Sequence, residues 1–471
     1  MSLIYIYKIL NRKLQVIIKI FFLLLTFNFN TFATEYNETN KSFLQKTLTT
    51  EEAEGLTINS IKTEGNNRTS DDIILLNFDF KEGETFTNQK IKNSIQNLKN
   101  LQIFLSIQYK IYKSIDNPQK IDIVLEFDEK WTLLPYVLFG SGGGVSYYLL
   151  GMFDTNFIGR FYTLNFTYGC KSQNCSTYLF FRNPNVFGYP FNIVTYLTLE
   201  NNVFKKYNEQ RNVIGSFTNH KNNINMFSDF KINPSFMLGL GFVYTSIYTD
   251  EKGLSESENT TNKVNNFNFP KKIDAFSLQT RLTIGKINHD NLKSDGLVLT
   301  TIFDTTVGIA KELTNNYNAI NNNLLYYNSN LKIGSFHIPL PSQSYLAIRA
   351  NISINTSEIE TMHYYIGGLD KIRGFYDGEF SGNFSWFSNI ELRIPSYINQ
   401  YIAIQHALFS DAGYASTNLN ELFSNKIGLS IGTGIRIIPL KVNRVALRFD
   451  LAYTLNPFNT YGFSFGLLQF F

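Results

Sequence analysis

After its first three dozen residues the chain has no apolar run long enough to cross a bilayer as a helix, which takes about 20 residues. Helical membrane spans are thereby excluded. Histidine is sparse: His220, His289, His337, His363 and His406 are scattered along the chain, which speaks against a metal site. No nucleophile–base pairing and no phosphate-binding glycine loop stands out, so neither an enzyme nor a cofactor is expected. An excess of charge is also missing. The formal net charge is +4, but Lys8, Arg12, Lys13 and Lys19 precede Thr34 with no acidic residue among them. The remaining 38 basic residues face 38 acidic ones, a balance that offers nucleic acid no hold. Only two cysteines occur, Cys170 and Cys175, with four residues between them; in an exported chain this closeness points to a disulfide within one loop.

What the sequence has is aromatics, 43 Phe and 28 Tyr, at a hydrophobic content of only 44%. That combination suits strands that are apolar on one side only, as in a transmembrane barrel. Residues 1–33 read as a signal peptide, with basic residues up to Lys19, the apolar stretch Ile20–Leu25, and Thr31-Phe32-Ala33 near the cleavage point. Residues 34–55 are polar and without period, which suggests a linker.

From Leu56 to about Lys130 the pattern is βααββ: an alternating run at Leu56–Ile61, a helix start at Ser70 or Asp71, and Ile91, Ile95, Leu98 and Leu101 at helical spacing. Two strands follow, at Ile103–Ile115 and Ile121–Phe127, joined by a turn at Asp116-Asn117-Pro118.

From Trp131 onward, alternating runs are separated by turn residues. Roughly 340 residues over 16 strands allow about 21 for each strand and connection, compatible with membrane spans of about 10. The expected class is mainly β, a 16-stranded antiparallel transmembrane β-barrel over 131–471 preceded by one small α+β domain at 56–130. The sixth strand, within Gln210–Asn233, is either one irregular strand or two, and the tenth is expected from Leu324. In the fifteenth, Arg448 and Asp450 share one face while Leu447, Phe449 and Leu451 share the other.

One stretch has its own character. Tyr364–Asn383, YYIGGLDKIRGFYDGEFSGN, holds five glycines, which permit tight folding, and the sequence Ile372-Arg373-Gly374-Phe375. Downstream, Glu391 shares a strand face with Asn389 and Arg393, and Asp411 shares one with Phe409 and Gly413. Further on comes Gly432-Thr433-Gly434-Ile435-Arg436. Glu391 and Asp411 could be read as paired catalytic carboxylates. A poorly hydrated arginine needs charge-assisted partners, however, and neutralising Arg373 is the better account of them.

These motifs, in this order and spacing, resemble the signature of the outer membrane protein 85 superfamily, the bacterial surface antigens. The resemblance implies a POTRA domain joined to a 16-stranded barrel. The arginine loop would fold into the lumen from the external side, its tip on the strand that carries Phe409, Asp411 and Gly413. It places the barrel in the bacterial outer membrane with the POTRA domain in the periplasm, and the Asp250–Asn268 segment outside. The closing stretch Tyr461–Phe471 resembles an outer-membrane sorting signal ending on Phe471, with Gln469 where an aromatic or aliphatic residue is usual.

The partners implied are the lipid bilayer and unfolded client polypeptides, met through the POTRA domain and the barrel seam, along with periplasmic or accessory assembly proteins. Three roles follow: insertion and assembly of other barrel proteins, export of one secreted partner as in two-partner secretion, or a structural surface antigen. Exporters of that kind usually carry two POTRA domains and a plug helix, for which residues 34–55 leave no room. Pro135, in the first strand, lacks an N–H and would weaken a seam on its side.

Overall fold

The structure, a computed structural model, describes residues 47–467 apart from 116, 143–144, 172–173, 209, 251–271, 291, 311–313, 330–340, 358, 424–425 and 444. The signal peptide, Phe471 and all but the first residue of the Asp250–Asn268 segment lie outside the described residues.

The N-terminal domain begins with β1 (Thr47–Leu48) and α1 (Thr50–Ala53), followed by β2 (Thr57–Glu64), α2 (Asp71–Leu76), α3 (Asn88–Asn100), β3 (Phe104–Lys113) and β4 (Lys120–Glu129). Its sheet runs β1-β3-β4-β2, with β2 parallel to β4 and β3 antiparallel to it. Alternation in β4 buries Ile121, Ile123, Leu125 and Phe127 against Ile91 and Leu98 of α3, whose first turn is capped by Thr87. The end of the stretch that reads as a linker is therefore folded. Thr49 and Glu52 close a reciprocal capping box on α1, at 3.2 and 2.9 Å. A two-residue strand and a single helical turn are too short to leave a period in the sequence.

The barrel closes from sixteen antiparallel strands. Its first half is β5 (Leu133–Gly142), β6 (Val145–Phe157), β7 (Tyr162–Lys171), β8 (Asn174–Asn183), β9 (Ile193–Tyr207), β10 (Val213–Asn233), β11 (Phe236–Asp250) and β12 (Lys272–Asp290). The second half is β13 (Lys293–Ala310), β14 (Thr314–Asn328), β15 (Tyr345–Asn355), β18 (Phe384–Ile398), β19 (Ile402–Ser416), β20 (Gly428–Pro439), β21 (Leu447–Asn456) and β22 (Tyr461–Leu467). Between β15 and β18 the chain forms a small hairpin, β16 (Tyr364–Ile366) with β17 (Phe380–Gly382).

Outward faces carry exposed apolar side chains such as Phe139, Leu179, Phe242, Phe276, Ile390 and Phe449, while Arg448 and Asp450 point inward and are buried. No helix among the described residues is long and apolar enough to cross a membrane.

At two strands the structure adds to the sequence reading, choosing between the alternatives at the sixth and correcting the start of the tenth. The sixth is one strand of 21 residues, irregular only at Val213/Gly215 and Lys231/Asn233. The tenth begins at Thr314 and not at Leu324. Its first ten residues, TNNYNAINNN, have poor strand propensity, yet ladders to β13 on one side and β15 on the other hold the chain extended. Strand length also varies around the wall: β5 to β8 have 10–13 residues, β9 to β14 have 15–21.

The N-terminal domain touches the near rim of the barrel at two places. At the β6–β7 turn, Ser70 stands at the N-cap of α2 but does not cap it; its backbone N–H and its hydroxyl both donate to the Gly159 carbonyl, at 3.1 and 2.9 Å. Asn156 donates to Thr69 Oγ1 (2.8 Å), Arg160 pairs with Asp72 (2.8 Å), and Phe161 packs into the domain core. At the β12–β13 turn, α3 lays its polar side on the barrel: Lys99 pairs with Asp290 (3.0 Å) and Gln96 donates to the His289 carbonyl (3.1 Å).

The first junction leaves no space for a side chain. At Gly159, φ is +72°, and an added Cβ would lie 2.1 Å from the Arg68 carbonyl oxygen. Gly159→Ala is expected to loosen the junction, since the left-handed conformation alone costs about 1–2 kcal/mol. Limited proteolysis should then cut the connection between β4 and β5 several times faster, with the barrel's heat-modifiable gel mobility retained.

Candidate functional site

The segment 364–383 folds inward and lies against the inner faces of β18 to β22. Four of its glycines, Gly367, Gly368, Gly374 and Gly378, have φ between +68° and +125°, a region that other residues enter only with strain. The consequence is clearest at Gly374. An added Cβ there would meet Thr454 at 2.8 Å, and one on Gly462 of β22 would lie 2.6 Å from the Gly374 Cα. Loop tip and last strand are thus in backbone-to-backbone contact. Ile372 and Phe375, on either side, are fully buried, Phe375 against Phe380 and Phe387. Gly413 supplies the seat for Ile372, whose Cδ1 would be 2.8 Å from a Cβ at that position.

Arg373 reaches the wall. Its Nε and Nη2 donate to the two oxygens of Asp411 (2.7 and 2.8 Å), its backbone N–H adds a third bond to Asp411 (3.1 Å), and Nη1 donates to Glu391 (3.1 Å). The guanidinium lies 3.4 Å from the centre of the Phe409 ring. Glu391 also accepts from Arg393 (3.0 Å) and Arg436 (3.1 Å). Asp450 accepts from Arg436 (2.7 Å) and pairs with Arg448 (2.7 Å). Arg393 and Arg436 are among the most deeply buried side chains of the protein. With every oxygen of Glu391 and Asp411 committed to guanidinium, amide or backbone donors, the two carboxylates act as anchors.

The arginines of this wall outnumber its carboxylates, and the loop backbone takes up the difference. Arg448 donates to the Leu369 carbonyl (2.9 Å), Arg349 to the Asp370 carbonyl, and Asn389 to the Lys371 carbonyl (2.7 Å). Desolvated guanidinium groups thereby find acceptors that carry no formal charge, which a buried donor requires.

The far rim holds a second arginine clamp that the sequence does not announce. Arg211, in the β9–β10 turn, makes a bidentate pair with Glu379 of the loop (2.6 and 3.2 Å) and donates to Thr460 in the β21–β22 turn (3.1 Å). Its guanidinium also lies 4.1 Å from the centre of the Phe458 ring. One side chain therefore ties opposite walls of the barrel to the loop between them. In the sequence, Arg211 is an ordinary polar turn residue; its partners are 168 and 249 positions away. Lys171–Asp377 and Lys206–Glu360 add two half-exposed ion pairs.

Closure between β22 and β5 differs from every other contact of the barrel. Among the described residues a single registered pair, Phe465 with Ser141, joins them, where all other neighbours share long ladders. A side chain covers the gap from inside. Tyr147, on β6, crosses β5 at Gly140, where an added Cβ would be 2.1 Å from its ring, and its hydroxyl would be 2.7 Å from a Cβ on Gly466 of β22.

Beside the loop the lumen holds a cavity of about 890 Å³, lined by polar groups that include Asn202, Lys221, Asn223, Gln279 and Asp304. At the far end of the β7–β8 hairpin, Cys170 and Cys175 are joined by a disulfide. Among the described residues no group of His, Cys, Asp and Glu could hold a metal ion.

The Omp85 superfamily domain model matches residues 156–471, and the POTRA model, described as a surface antigen variable number repeat, matches residues 56–130. Among solved structures, BamA from Haemophilus ducreyi lacking POTRA domains 1–3 is 16% identical at a TM-score of 0.52, the match covering 87% of this chain and 84% of that one. CdiB from Acinetobacter baumannii is 15% identical at 0.55, covering 88% and 74%. CdiB from Escherichia coli is 14% identical at 0.55, covering 88% and 77%. At these identities the likeness is one of fold. No curated protein matches the sequence.

Removing one member of a buried ion pair typically costs about 3–5 kcal/mol, because the other is left without its partner. Arg373→Ala and Asp411→Asn should each lower barrel stability by roughly that amount in heat-modifiability assays, and the double variant should be little worse than either. Arg373→Lys should rescue little, since an ammonium cannot reproduce the forked contact. Additive losses, or a fully stable Arg373→Ala protein, would mean that the loop is held by something else.

Proposed function

The chain belongs to the Omp85 superfamily, and on that footing we propose that it inserts other β-barrel polypeptides into the bacterial outer membrane, by lending client strands the gap between β22 and β5. Members of the family are assembly or transport factors. The observation that carries the proposal is the seam, with its single registered pair among the described residues. An unsatisfied backbone group in hydrocarbon costs several kcal/mol. Parting β12 from β13 would expose a ladder along their whole length, while parting β22 from β5 exposes, among the described residues, little that was paired. A client strand that satisfied those edges would lower the cost of opening further.

In this reading the loop positions the last strand, because Gly374 and Gly462 are in contact and Arg373 fixes where Gly374 sits. Tyr147 holds the seam shut from the lumen until a client displaces it.

The POTRA domain lies in the periplasm and offers a second edge. β1 covers β3 only at Tyr112 and Ile111, so the outer side of Ser106–Lys110 has no strand partner among the described residues. Unpaired edges of this kind recruit extended chains, here an unfolded client.

Three measurements test the proposal. In a Ser141→Cys/Phe465→Cys protein, oxidation should lock the seam and abolish client assembly while the barrel stays folded, and reductant should restore it. A locked seam with full activity would exclude the lateral route. Depletion of the protein should lower many outer-membrane barrels together; loss of one secreted protein alone would mean export, and no change would mean a structural surface role. Tyr147→Ala should raise the yield of seam-directed cross-links to an added client strand.

A further inference from the structure

Two successive turns on the near rim repeat one sequence and one conformation. The β6–β7 turn reads Asn156-Phe157-Ile158-Gly159 and the β8–β9 turn Asn185-Val186-Phe187-Gly188: asparagine, two apolar residues, glycine. In both, the residue before the glycine has positive φ, 52° at Ile158 and 53° at Phe187, and the glycines follow at 72° and 79°. A left-handed backbone is costly for a β-branched or aromatic residue, so the chain does not adopt it twice without a compensating contact. On the first turn the docked POTRA domain supplies backbone contacts, through Ser70 on the Gly159 carbonyl, but among the described residues the side chains at the strained positions, Ile158 and Phe187, are left largely uncovered. Ile158 is 68% exposed although the POTRA domain is docked on its own turn, Phe187 is 93% exposed, and Tyr189 beside it is 63% exposed.

The strands between these turns fix their height. β7 and β8 have ten residues each. At about 3.3 Å per residue and a tilt of about 40°, such strands span about 25 Å, the height of the apolar band of an outer-membrane barrel. Turns at their near ends must lie at the boundary of the inner leaflet. The same patch continues onto the POTRA domain: Asp72, which pairs with Arg160, shares a helix face with Leu75 and Leu76, both exposed.

We propose that Ile158, Phe187 and Tyr189 are an interfacial anchor, inserted among the headgroups and upper acyl chains of the inner leaflet's phospholipids beneath β6 to β9. The occupant is lipid because the patch continues the outward apolar face of the barrel, and because exposed aromatics and aliphatics at strand ends match the interface in polarity. The inference rests on the barrel being seated in a bilayer.

The test uses the full chain folded into vesicles of phosphatidylethanolamine and phosphatidylglycerol. Since Cys170 and Cys175 are bonded to one another, a single cysteine introduced elsewhere can be spin-labelled alone. Collisions with oxygen, which concentrates in lipid, are compared with collisions with a water-soluble nickel chelate at Ile158→Cys, Phe187→Cys, Leu179→Cys in the lipid-facing band, and Asn117→Cys on an exposed POTRA turn. Labels at 158 and 187 are expected to show an oxygen-to-nickel ratio several-fold above that at 117 and below that at 179. A ratio at 187 equal to that at 117, with 179 in lipid, overturns the anchor and leaves the membrane reading intact. Water-like ratios at both 179 and 187 overturn both. A label at 187 shielded from both reagents reports a protein contact and overturns the lipid assignment.

Discussion

Arginine 373 cannot be hydrated where it lies, and much of the barrel interior follows from that constraint. A guanidinium out of water needs acceptors for its donors, and Asp411 and Glu391 provide them. Those carboxylates in turn draw in Arg393 and Arg436, and Asp450 draws in Arg448. The packing around the cluster is set by the same requirement: glycines at 413, 432 and 434 leave room for Ile372, Phe409 and the Arg436 guanidinium. The charged network is therefore a way of fixing a flexible, glycine-rich segment in one place, with stability a secondary result.

The two arginine clamps divide the work by depth. The inner one is buried and holds the loop tip on β18 and β19. The outer one, Arg211, is nearer solvent and reaches across to the turn between the last two strands. Its pairing is thus the more open to competition from water and salt. The tip touches β22 at Gly462 and the rim clamp holds Thr460 just before that strand, so both clamps bear on the seam's last strand.

The fold was legible in the sequence because period-2 alternation survives wherever one face meets lipid. The class followed from that alternation, the βααββ order from it together with the helical spacing of Ile91, Ile95, Leu98 and Leu101, and the count of sixteen agreed with what the family resemblance implies. Alternation failed at Thr314–Asn323, where asparagines mask an extended segment held by its neighbours, and at Thr47–Ala53, where the elements are too short to have a period. The alternation of Asn389–Arg393 and of Phe409–Gly413 is enough to put Glu391 and Asp411 on one wall. Which groups meet them, and at what distance, is visible only in three dimensions. Arg211 and Tyr147 could not have been found, since each acts on residues hundreds of positions away through a geometry that only the closed barrel creates.

The wall holds the loop at Leu369, Asp370 and Lys371 by their carbonyl oxygens. A carbonyl is the same in every amino acid, so this recognition is indifferent to what those three residues are. Residues 372–375 enjoy no such freedom, because there a methyl contact, a guanidinium, a missing Cβ and a buried ring are what is recognised. Related chains should therefore drift at the first three positions and stand still at the next four. The boundary between them marks where the interior stops reading the backbone and begins reading the alphabet.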